Sequence, residues 1–312
     1  MNGWAVEARA LRKTFGHIVA VDSVDLQIHP GEVFGVVGPD GAGKTTTFRM
    51  LVGAIEADAG EAFVAGFNVR THPEEVKRRI GYMSQRFSLY GDLTVQENLD
   101  FFADIHQVPK EERIARQREL LEFSRLTPFT RRLAQNLSGG MKQKLALACT
   151  LIHTPEILFL DEPTTGVDPV SRRDFWRILY TLVSKGMTLV VSTPYMDEAE
   201  RCNRIAFMHN GRIIECDSPD NLRGRMRGNL WEVICHPQRQ AREILVQLPE
   251  VKGVQVFGER LHVWLEDEQT GFVSLQDTLA QAGIHVEHIR QIVPGLEDVF
   301  VSIIERQRQE MR

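Results

Sequence analysis

Hydrophobic and polar positions along the chain follow two periodicities, one typical of strands and one typical of helices. Apolar residues recur at nearly every second position over residues 19–28, which predicts a half-buried strand before the Pro30-Gly31 turn. The apolar run 33–37 predicts a buried strand, and residues 44–52 follow without Gly or Pro, as a helix requires. Residues 94–132 carry apolar side chains at helical spacing, so we expect a helical block there.

The middle of the chain continues this alternation. The pattern predicts helices at 140–152 and 171–184 and strands at 157–160 and 188–192. Because strands and helices alternate, we expect an α/β fold with a parallel sheet covered by helices.

The composition becomes polar and basic between residues 217 and 228, which predicts a boundary between a domain at 1–222 and a second domain at 229–312. Beyond it the pattern predicts strands at 230–234, 254–257, 261–265 and 284–292, and helices at 238–248, 272–282 and 296–306. Before the last helix the order is βαββαβ, the split ferredoxin-like pattern, so we expect a small α+β accessory domain. It could stabilise or dimerise the larger domain, or regulate it.

Composition agrees with two folded domains. The 312 residues exceed what one core usually supports, and 43% hydrophobic with 25% charged residues is ordinary for a folded protein. A net charge of -5 without a basic stripe argues against nucleic acid as a partner. Cys149, Cys202, Cys216 and Cys235 are far apart and unpaired in spacing, which favours a reducing cytoplasm.

No part of the sequence predicts a membrane span or a signal peptide. The apolar stretches 145–152 and 187–191 fall far short of the roughly 20 residues that a span needs. The N-terminus holds Trp4, Glu7 and Arg9 and no apolar core, so we expect no signal peptide. If the protein works at a membrane, we expect another chain to cross it.

Residues 38–45 fit the phosphate-binding loop pattern G-x-x-x-x-G-K-[ST], between a predicted strand and a predicted helix. We expect this site to include Gly38, Pro39, Asp40, Gly41, Ala42, Gly43, Lys44, Thr45 and Thr46. The glycines let backbone N–H groups approach phosphates. Lys44 would reach the β- and γ-phosphates, Thr45 would bind Mg²⁺, and Thr46 would donate to phosphate.

Two further motifs follow in order, Leu-Ser-Gly-Gly at 137–140 and Ile-Leu-Phe-Leu-Asp-Glu at 157–162. This ordered set resembles the ATPase subunit of an ATP-binding-cassette (ABC) transporter over roughly residues 1–220. The segment 294–300 is similar to the closing stretch of drug-exporter and polyketide-exporter subunits. The resemblance implies a P-loop NTPase fold of ABC type, with a parallel sheet core, an antiparallel β subdomain and a helical subdomain at about 86–155. ATP and Mg²⁺ are the implied cofactors.

The resemblance also implies catalytic roles. Asp161, which ends an apolar strand, would bind Mg²⁺ together with Thr45 and Gln85. Glu162 would be the general base that polarises the attacking water, with Lys44 on the phosphates.

Ser138, Gly139 and Gly140 open a predicted helix, so their N–H groups can face an anion. The resemblance makes that anion the γ-phosphate on a second cassette, so it implies a homodimer or a heterodimer. Asp168 matches the loop that communicates across that dimer. Phe15 takes the place of the aromatic residue that stacks on adenine, with a packing role in the core as the alternative.

Asp40 and Pro194 depart from the family pattern, as does Met141, where the family more often has Gln. Asp40 replaces the usual Asn, and we expect modestly weaker nucleotide affinity unless the carboxylate points to solvent. Pro194 replaces a histidine that bonds the γ-phosphate, and losing such a donor typically slows hydrolysis by about 10²- to 10³-fold. A hydroxyl from Thr193 or Tyr195 could substitute, or a small shift of the loop could leave the rate unchanged.

The sequence therefore predicts the ATPase subunit of an export-type ABC transporter, peripheral on the cytoplasmic face of the cell membrane. It would power a separate transmembrane permease that docks near residues 87–99. One alternative is a weakly hydrolysing regulatory cassette paired with an active one, and another is a non-transport ABC ATPase acting on ribosomes or DNA.

Overall fold

The computed structural model of the chain describes residues 3–85, 89–225, 229–265 and 268–310. Its contacts divide the chain into two compact units, Met1–Ser218 and Pro219–Arg312. This division lies slightly before the predicted boundary, because the short helix that begins at Pro219 packs against the last helix of the chain.

The first unit contains ten described strands and seven described α-helices. The strands are β1 (Val6–Phe15), β2 (Ile18–Ile28), β3 (Val33–Val37), β4 (Ala59–Val64), β5 (Phe67–Asn68), β6 (Ile80–Met83), β7 (Ile157–Asp161), β8 (Thr188–Thr193), β9 (Arg204–His209) and β10 (Arg212–Asp217). The helices are α1 (Lys44–Leu51), α2 (Pro73–Arg79), α3 (Val95–Ile105), α4 (Lys110–Ser124), α5 (Gly139–Leu151), α6 (Pro169–Ser184) and α7 (Met196–Ala199).

A six-stranded sheet forms the centre of this unit, in the order β10-β9-β3-β8-β7-β6. Strands β9, β3, β8, β7 and β6 are parallel to their neighbours, as the sequence predicts, and only β10 pairs antiparallel among the described strands of this sheet. Every residue of β3, β7 and β8 is buried, which explains their continuous apolar runs. The carboxyl ends of these strands meet at one edge, and the phosphate-binding loop follows β3 there.

An antiparallel sheet in the order β2-β1-β4-β5 packs beside the central sheet in one shared core. Phe48 on α1 meets Phe159 on β7 edge to face, with ring centroids 5.7 Å apart, and so joins the helix after the phosphate-binding loop to the sheet. The predicted helical block is formed by α3 and α4, which pack with α5 around Leu99, Leu121 and Leu145.

The second unit contains α8 (Pro219–Gly224), β11 (Asn229–His236), α9 (Gln238–Leu245), β12 (Val251–Phe257), β13 (Arg260–Leu265), α10 (Glu268–Gln281), β14 (His285–Ile292) and α11 (Leu296–Glu310). Its strands form an antiparallel sheet in the order β12-β13-β11-β14. Inward-facing residues such as Val233 and Leu261 pack with Leu245 of α9 and Leu279 of α10 in a core of their own. Among the described helices of the chain, none combines the length and apolar composition that crossing a bilayer requires.

Candidate active site

In the loop between β3 and α1, Gly38 and Gly43 could not carry a side chain unless their surroundings moved. A Cβ at Gly38 would lie 2.1 Å from the carbonyl oxygen of Met208. Gly43 has a φ of 108°, and a Cβ there would lie 2.5 Å from the carbonyl oxygen of Ala20. The loop therefore packs closely against neighbouring backbone and leads directly into the N-terminus of α1. The free backbone N–H groups at a helix N-terminus are suited to bind a phosphate group. Asp40 lies exposed at the surface of this loop.

Lys44 provides a buried positive charge at the same place. Its side chain is only 3% exposed, and its Nζ donates to the carbonyl oxygens of Gly38 at 2.8 Å and Pro39 at 3.0 Å. The Oε1 atom of Glu162 lies 3.3 Å from Nζ. Because a buried ammonium group needs anionic or carbonyl partners, this pocket is built to receive negatively charged oxygens.

Asp161 ends β7 and is fully buried. Its Oδ1 accepts hydrogen bonds from Thr45 Oγ1 at 3.1 Å and from Ser192 Oγ at 2.5 Å. Burial raises the pKa of Asp161, although the bonds from Ser192 and Thr45 oppose that rise. Tyr82 completes the group, with its hydroxyl 3.5 Å from Asp161 Oδ2.

The oxygens of Asp161 and Thr45 are the hard ligands that Mg²⁺ prefers. No cluster of three or more His, Cys, Asp or Glu residues able to hold a metal occurs in the described ranges. A carboxylate and a hydroxyl alone do not fill six positions, so the donor set fits a Mg²⁺ ion that brings phosphate and water oxygens with it. Burial raises the pKa of Tyr82 to about 12, so this residue remains a neutral phenol beside the site.

Glu162 follows Asp161 and has a φ of 50°, in the left-handed region that is costly for a residue with a Cβ. Its backbone N–H donates to the carbonyl oxygen and the Oγ of Ser192, both at 3.1 Å. Its Oε2 accepts from Gln85 Nε2 at 2.9 Å and from Thr165 Oγ1 at 3.4 Å. The carboxylate is thus held in place on several sides, with Gln85 bonded to Glu162 rather than to Asp161.

The loop after β8 contains Pro194, and the side chains of Thr193 and Tyr195 on either side of it both have described contacts. Thr193 Oγ1 donates to Glu198 Oε2 at 2.6 Å and accepts from the backbone N–H of Tyr195 at 3.1 Å. The ring of Tyr195 lies against the guanidinium of Arg172 on α6, 4.4 Å from the ring centroid. The Thr193 hydroxyl is therefore already bonded on both its donor and its acceptor side.

A second cluster is built on the N-termini of α5 and α6. Ser138 caps α5 by accepting from the N–H of Met141 at 3.3 Å, and it is exposed with Gly139. Gly140 is buried against Ser171, because a Cβ at Gly140 would lie 2.6 Å from the Ser171 side chain. Asp168 caps α6, and its bonds with Ser171 hold the pKa of the Asp168 carboxyl below its usual range.

Two further predicted residues are Phe15 and Thr46. Phe15 ends β1 and is 51% exposed, which excludes the alternative of a packing role in the core. Lys13 lies over its ring at 5.7 Å, and Asp58 binds both Lys13 and Thr14. Thr46 lies half-buried in the first turn of α1.

Sequence reasoning missed Tyr82, Ser192 and Glu198. Tyr82 lies in the short apolar run before Gln85, and Ser192 is the partner of Asp161 in the register of β7 and β8. Only the proximity of these residues to known motifs in the sequence could have suggested them.

Comparison with known proteins identifies the family of this chain. The family model described as ABC transporter matches residues 21–165. The daunorubicin resistance ATP-binding protein DrrA2 of Streptomyces coeruleorubidus is 36% identical over 308 residues, which cover 97% of this chain and 96% of that relative. The chain belongs to the ABC transporter family.

Other relatives are named as ATP-binding proteins of export or of multidrug transport. The Nod factor export ATP-binding protein I of Ralstonia nicotianae is 35% identical, with 98% of this chain and 95% of that relative covered. The probable multidrug ABC transporter ATP-binding protein YbhF of Escherichia coli is 41% identical over 97% of this chain but only 53% of its own length. This ABC subunit therefore spans about half of YbhF.

Solved structures resemble the larger unit. A nucleotide-free ATP-binding cassette from an ABC transporter has a TM-score of 0.65 at 25% identity and covers 71% of this chain and 94% of its own. A dimeric cassette bound to ADP and phosphate in a post-hydrolysis state has a TM-score of 0.63 at 27% identity, over 68% of this chain and 98% of its own. The predicted ABC ATPase fold is confirmed.

Proposed function

We propose that this ABC subunit binds MgATP in the 38–46 loop, hydrolyses it at Glu162 and thereby drives export through a separate membrane permease. The observation that carries the proposal is the convergence of Lys44, Thr45, Asp161 and Glu162 at one edge of the parallel sheet. A phosphate-binding loop, a metal-binding pair and a buried carboxylate are the parts that phosphoryl transfer to water requires.

The proposed binding and hydrolysis use this geometry as follows. The backbone N–H groups of the loop and Lys44 hold the β- and γ-phosphates, and the ring of Phe15 provides a face for the base. Thr45 and Asp161 would hold Mg²⁺, which would supply positive charge to neutralise the phosphate oxygens. Glu162, oriented by Gln85 and fixed by its backbone bonds to Ser192, accepts the proton from the attacking water on its carboxylate.

A second copy is needed if the second cluster also acts on ATP. The N–H groups at the start of α5 and the exposed Ser138 form an anion-binding helix terminus that is separate from the phosphate-binding loop. In a head-to-tail dimer each such terminus would face the γ-phosphate on the partner, and Asp168 would lie at the contact. The dimeric cassette structures among the relatives support this arrangement.

The permease is proposed to dock between the central sheet and the helical block. A recess of about 330 Å³ is lined there by Gln85, Leu89 and Gly91. A second recess of about 290 Å³ is lined by Lys77, Tyr82, Phe102 and the stacked rings of His106 and His153, whose centroids lie 3.8 Å apart. Gln85 thus links the first recess to Glu162, while Phe87 of the predicted docking segment lies outside the described residues.

This docking would hold the subunit on the cytoplasmic face of the membrane. The printed names of the relatives, multidrug transport, daunorubicin resistance and Nod factor export, support export as the direction.

The test is steady-state MgATP hydrolysis by the purified chain beside its Glu162→Gln variant. We expect turnover by the parent and a loss of at least about 10²-fold in the variant, with nucleotide binding retained, because only the proton acceptor is removed. Equal turnover in the two proteins would refute the role of Glu162.

One observation favours a second function, that of a weakly hydrolysing regulatory cassette. Pro194 has no side-chain donor, and Thr193 and Tyr195 are held by Glu198 and Arg172. Under this reading Pro194→His raises turnover by about 10²-fold. An unchanged rate in Pro194→His would eliminate it.

A further inference from the structure

Glu198 is a buried carboxylate outside the groups that touch nucleotide or water in the proposed reaction. It lies on α7, only 1% exposed, beyond the Pro194 loop. Burying a carboxylate is costly unless several donors satisfy it, so the set of donors around Glu198 indicates what its position achieves.

Three donors from three separate segments converge on this side chain. Thr164 Oγ1 and Trp176 Nε1 both donate to Oε1, the latter at 3.1 Å, and Thr193 Oγ1 donates to Oε2 at 2.6 Å. Arg172 is the nearest described cation, with Nε 3.9 Å from Oε1. Glu198 therefore joins the loop after Glu162, helix α6 and the end of β8.

The first of these segments bears directly on Glu162. Thr164 lies two residues beyond Glu162, and the next residue, Thr165, donates its backbone N–H to the Glu162 carbonyl oxygen at 3.3 Å and its hydroxyl to Oε2 at 3.4 Å. Glu162 occupies the left-handed region at a φ of 50°, and such a conformation persists only where the surroundings fix it. The bond from Thr164 to Glu198 fixes the far side of that turn.

The second segment is the loop that carries Pro194. Thr193 is held by the ladder between β8 and β3, so its backbone does not need Glu198. Its hydroxyl, oriented by Glu198, accepts the N–H of Tyr195 and so determines how the chain turns through Pro194. Pro194 has no side-chain hydrogen bond of its own, so the bond from the Tyr195 N–H to the Thr193 hydroxyl connects the loop to the end of β8.

We propose that Glu198 is a positioning residue for hydrolysis, which holds the Glu162 turn and the Pro194 loop in register by binding Thr164 and Thr193 together. The proposal rests on the proposed function, in which Glu162 is the base. It assigns Glu198 no contact with nucleotide, and the phosphate-binding loop keeps its own bonds when Glu198 is removed.

The first experiment compares kcat and KM for MgATP in Glu198→Ala, Thr164→Val and Asp197→Asn. Asp197 is an exposed carboxylate on the same helix, so its variant is matched in charge and location. We expect kcat to fall by about tenfold or more in Glu198→Ala, because displacing a catalytic group by about 1 Å can cost 10²-fold. Thr164→Val, which is isosteric and keeps the buried carboxylate, should lower kcat in the same direction, while Asp197→Asn remains within about twofold.

KM and the stoichiometry of nucleotide binding separate positioning from general destabilisation. Both should stay within about twofold of the parent in Glu198→Ala, whereas a partly unfolded sample would lose binding sites in proportion to activity. Glu198→Gln should recover most of kcat, because its Oε1 can accept from Thr164 and Trp176 while Nε2 donates to Thr193 Oγ1. A kcat per nucleotide-binding site that is unchanged in both Glu198→Ala and Thr164→Val overturns the proposal.

A second readout is independent of turnover. Amide hydrogen exchange over residues 162–167 should accelerate in Glu198→Ala and Thr164→Val but not in Asp197→Asn, because the turn loses its anchor. If Glu162→Gln leaves turnover unchanged, the proposed function fails while this exchange difference still reports on the anchor. Unchanged exchange in both variants refutes the anchor even where hydrolysis by Glu162 stands.

Discussion

Replacing Gly38 by Ala should weaken nucleotide binding strongly while the protein stays folded. A Cβ at this position would lie 2.1 Å from the carbonyl oxygen of Met208, whereas real contacts of this kind stay beyond 3.0 Å. The loop must therefore move by about 1 Å, since the opposing atom belongs to the backbone of β9 and cannot turn away. Because hydrogen bonds to a charged group contribute about 1.5–3 kcal/mol, weakening the N–H bonds to phosphate should cost about 10²-fold in affinity.

Gly41→Ala is the matched control. Gly41 has a φ of 76° in the same loop, but a Cβ there meets nothing within 4 Å. The substitution thus introduces backbone strain of about 1–2 kcal/mol without a collision. We expect Gly41→Ala to lower the free energy of unfolding by about that amount and to weaken nucleotide affinity far less than Gly38→Ala does.

Calorimetric titration with MgATP and urea unfolding of the two variants would measure both quantities. The reasoning predicts that affinity and stability separate, with Gly38→Ala the poorer binder. If Gly38→Ala binds MgATP within about threefold of the parent, the close approach between the loop and β9 does not control the site.

Three other expectations concern the rest of the molecule. Thr94→Ala should cost about 1 kcal/mol of unfolding free energy with no change in ATP affinity, because Thr94 and Glu97 form a capping box at the start of α3; urea unfolding measures it. Burial, assisted by the charge of His153, lowers the pKa of His106 to about 4. As the pH falls, His106 therefore becomes protonated in the unfolded chain at a higher pH than in the folded chain. Stability should therefore fall as pH drops from 6.5 to 4, and less steeply in His106→Gln, as urea midpoints across that range would show. Glu232→Ala should destabilise the second unit by about 1–3 kcal/mol, seen in its thermal unfolding, because a buried acceptor of two arginine bonds is lost.

Strands β3, β7 and β8 could be predicted because burial on both faces produces an unbroken apolar run. Strand β1 was not predicted, since its register against β2 shifts between Ala8 and Leu11 and again by Lys13, which breaks the alternation of apolar residues. Strand β10 was missed because its side chains are half-buried or exposed and its sequence mixes Arg, Glu and Asp with apolar residues. Irregular and edge strands leave a weak pattern even where their pairing is extensive.

The residues of the site likewise differ in how well the sequence predicts them. The phosphate-binding loop is one continuous segment, and Asp161 and Glu162 are adjacent residues, so a sequence motif can reveal each of them. The bond between Asp161 and Ser192 depends on which residues of β7 and β8 lie side by side, and the donors around Glu198 come from three segments. Such proximity is a property of the assembled fold, and no local pattern in the chain encodes it.

The left-handed backbone of Glu162 has a consequence for protein engineering. Glycine, and to a lesser degree asparagine, adopts that conformation at little cost, so selection for heat resistance alone would favour either at residue 162. Each such stabilising substitution at residue 162 would remove the carboxylate. A library of variants of this cassette that is selected for thermal stability should therefore be screened for ATP turnover at every round, because its most stable variants would include some without activity.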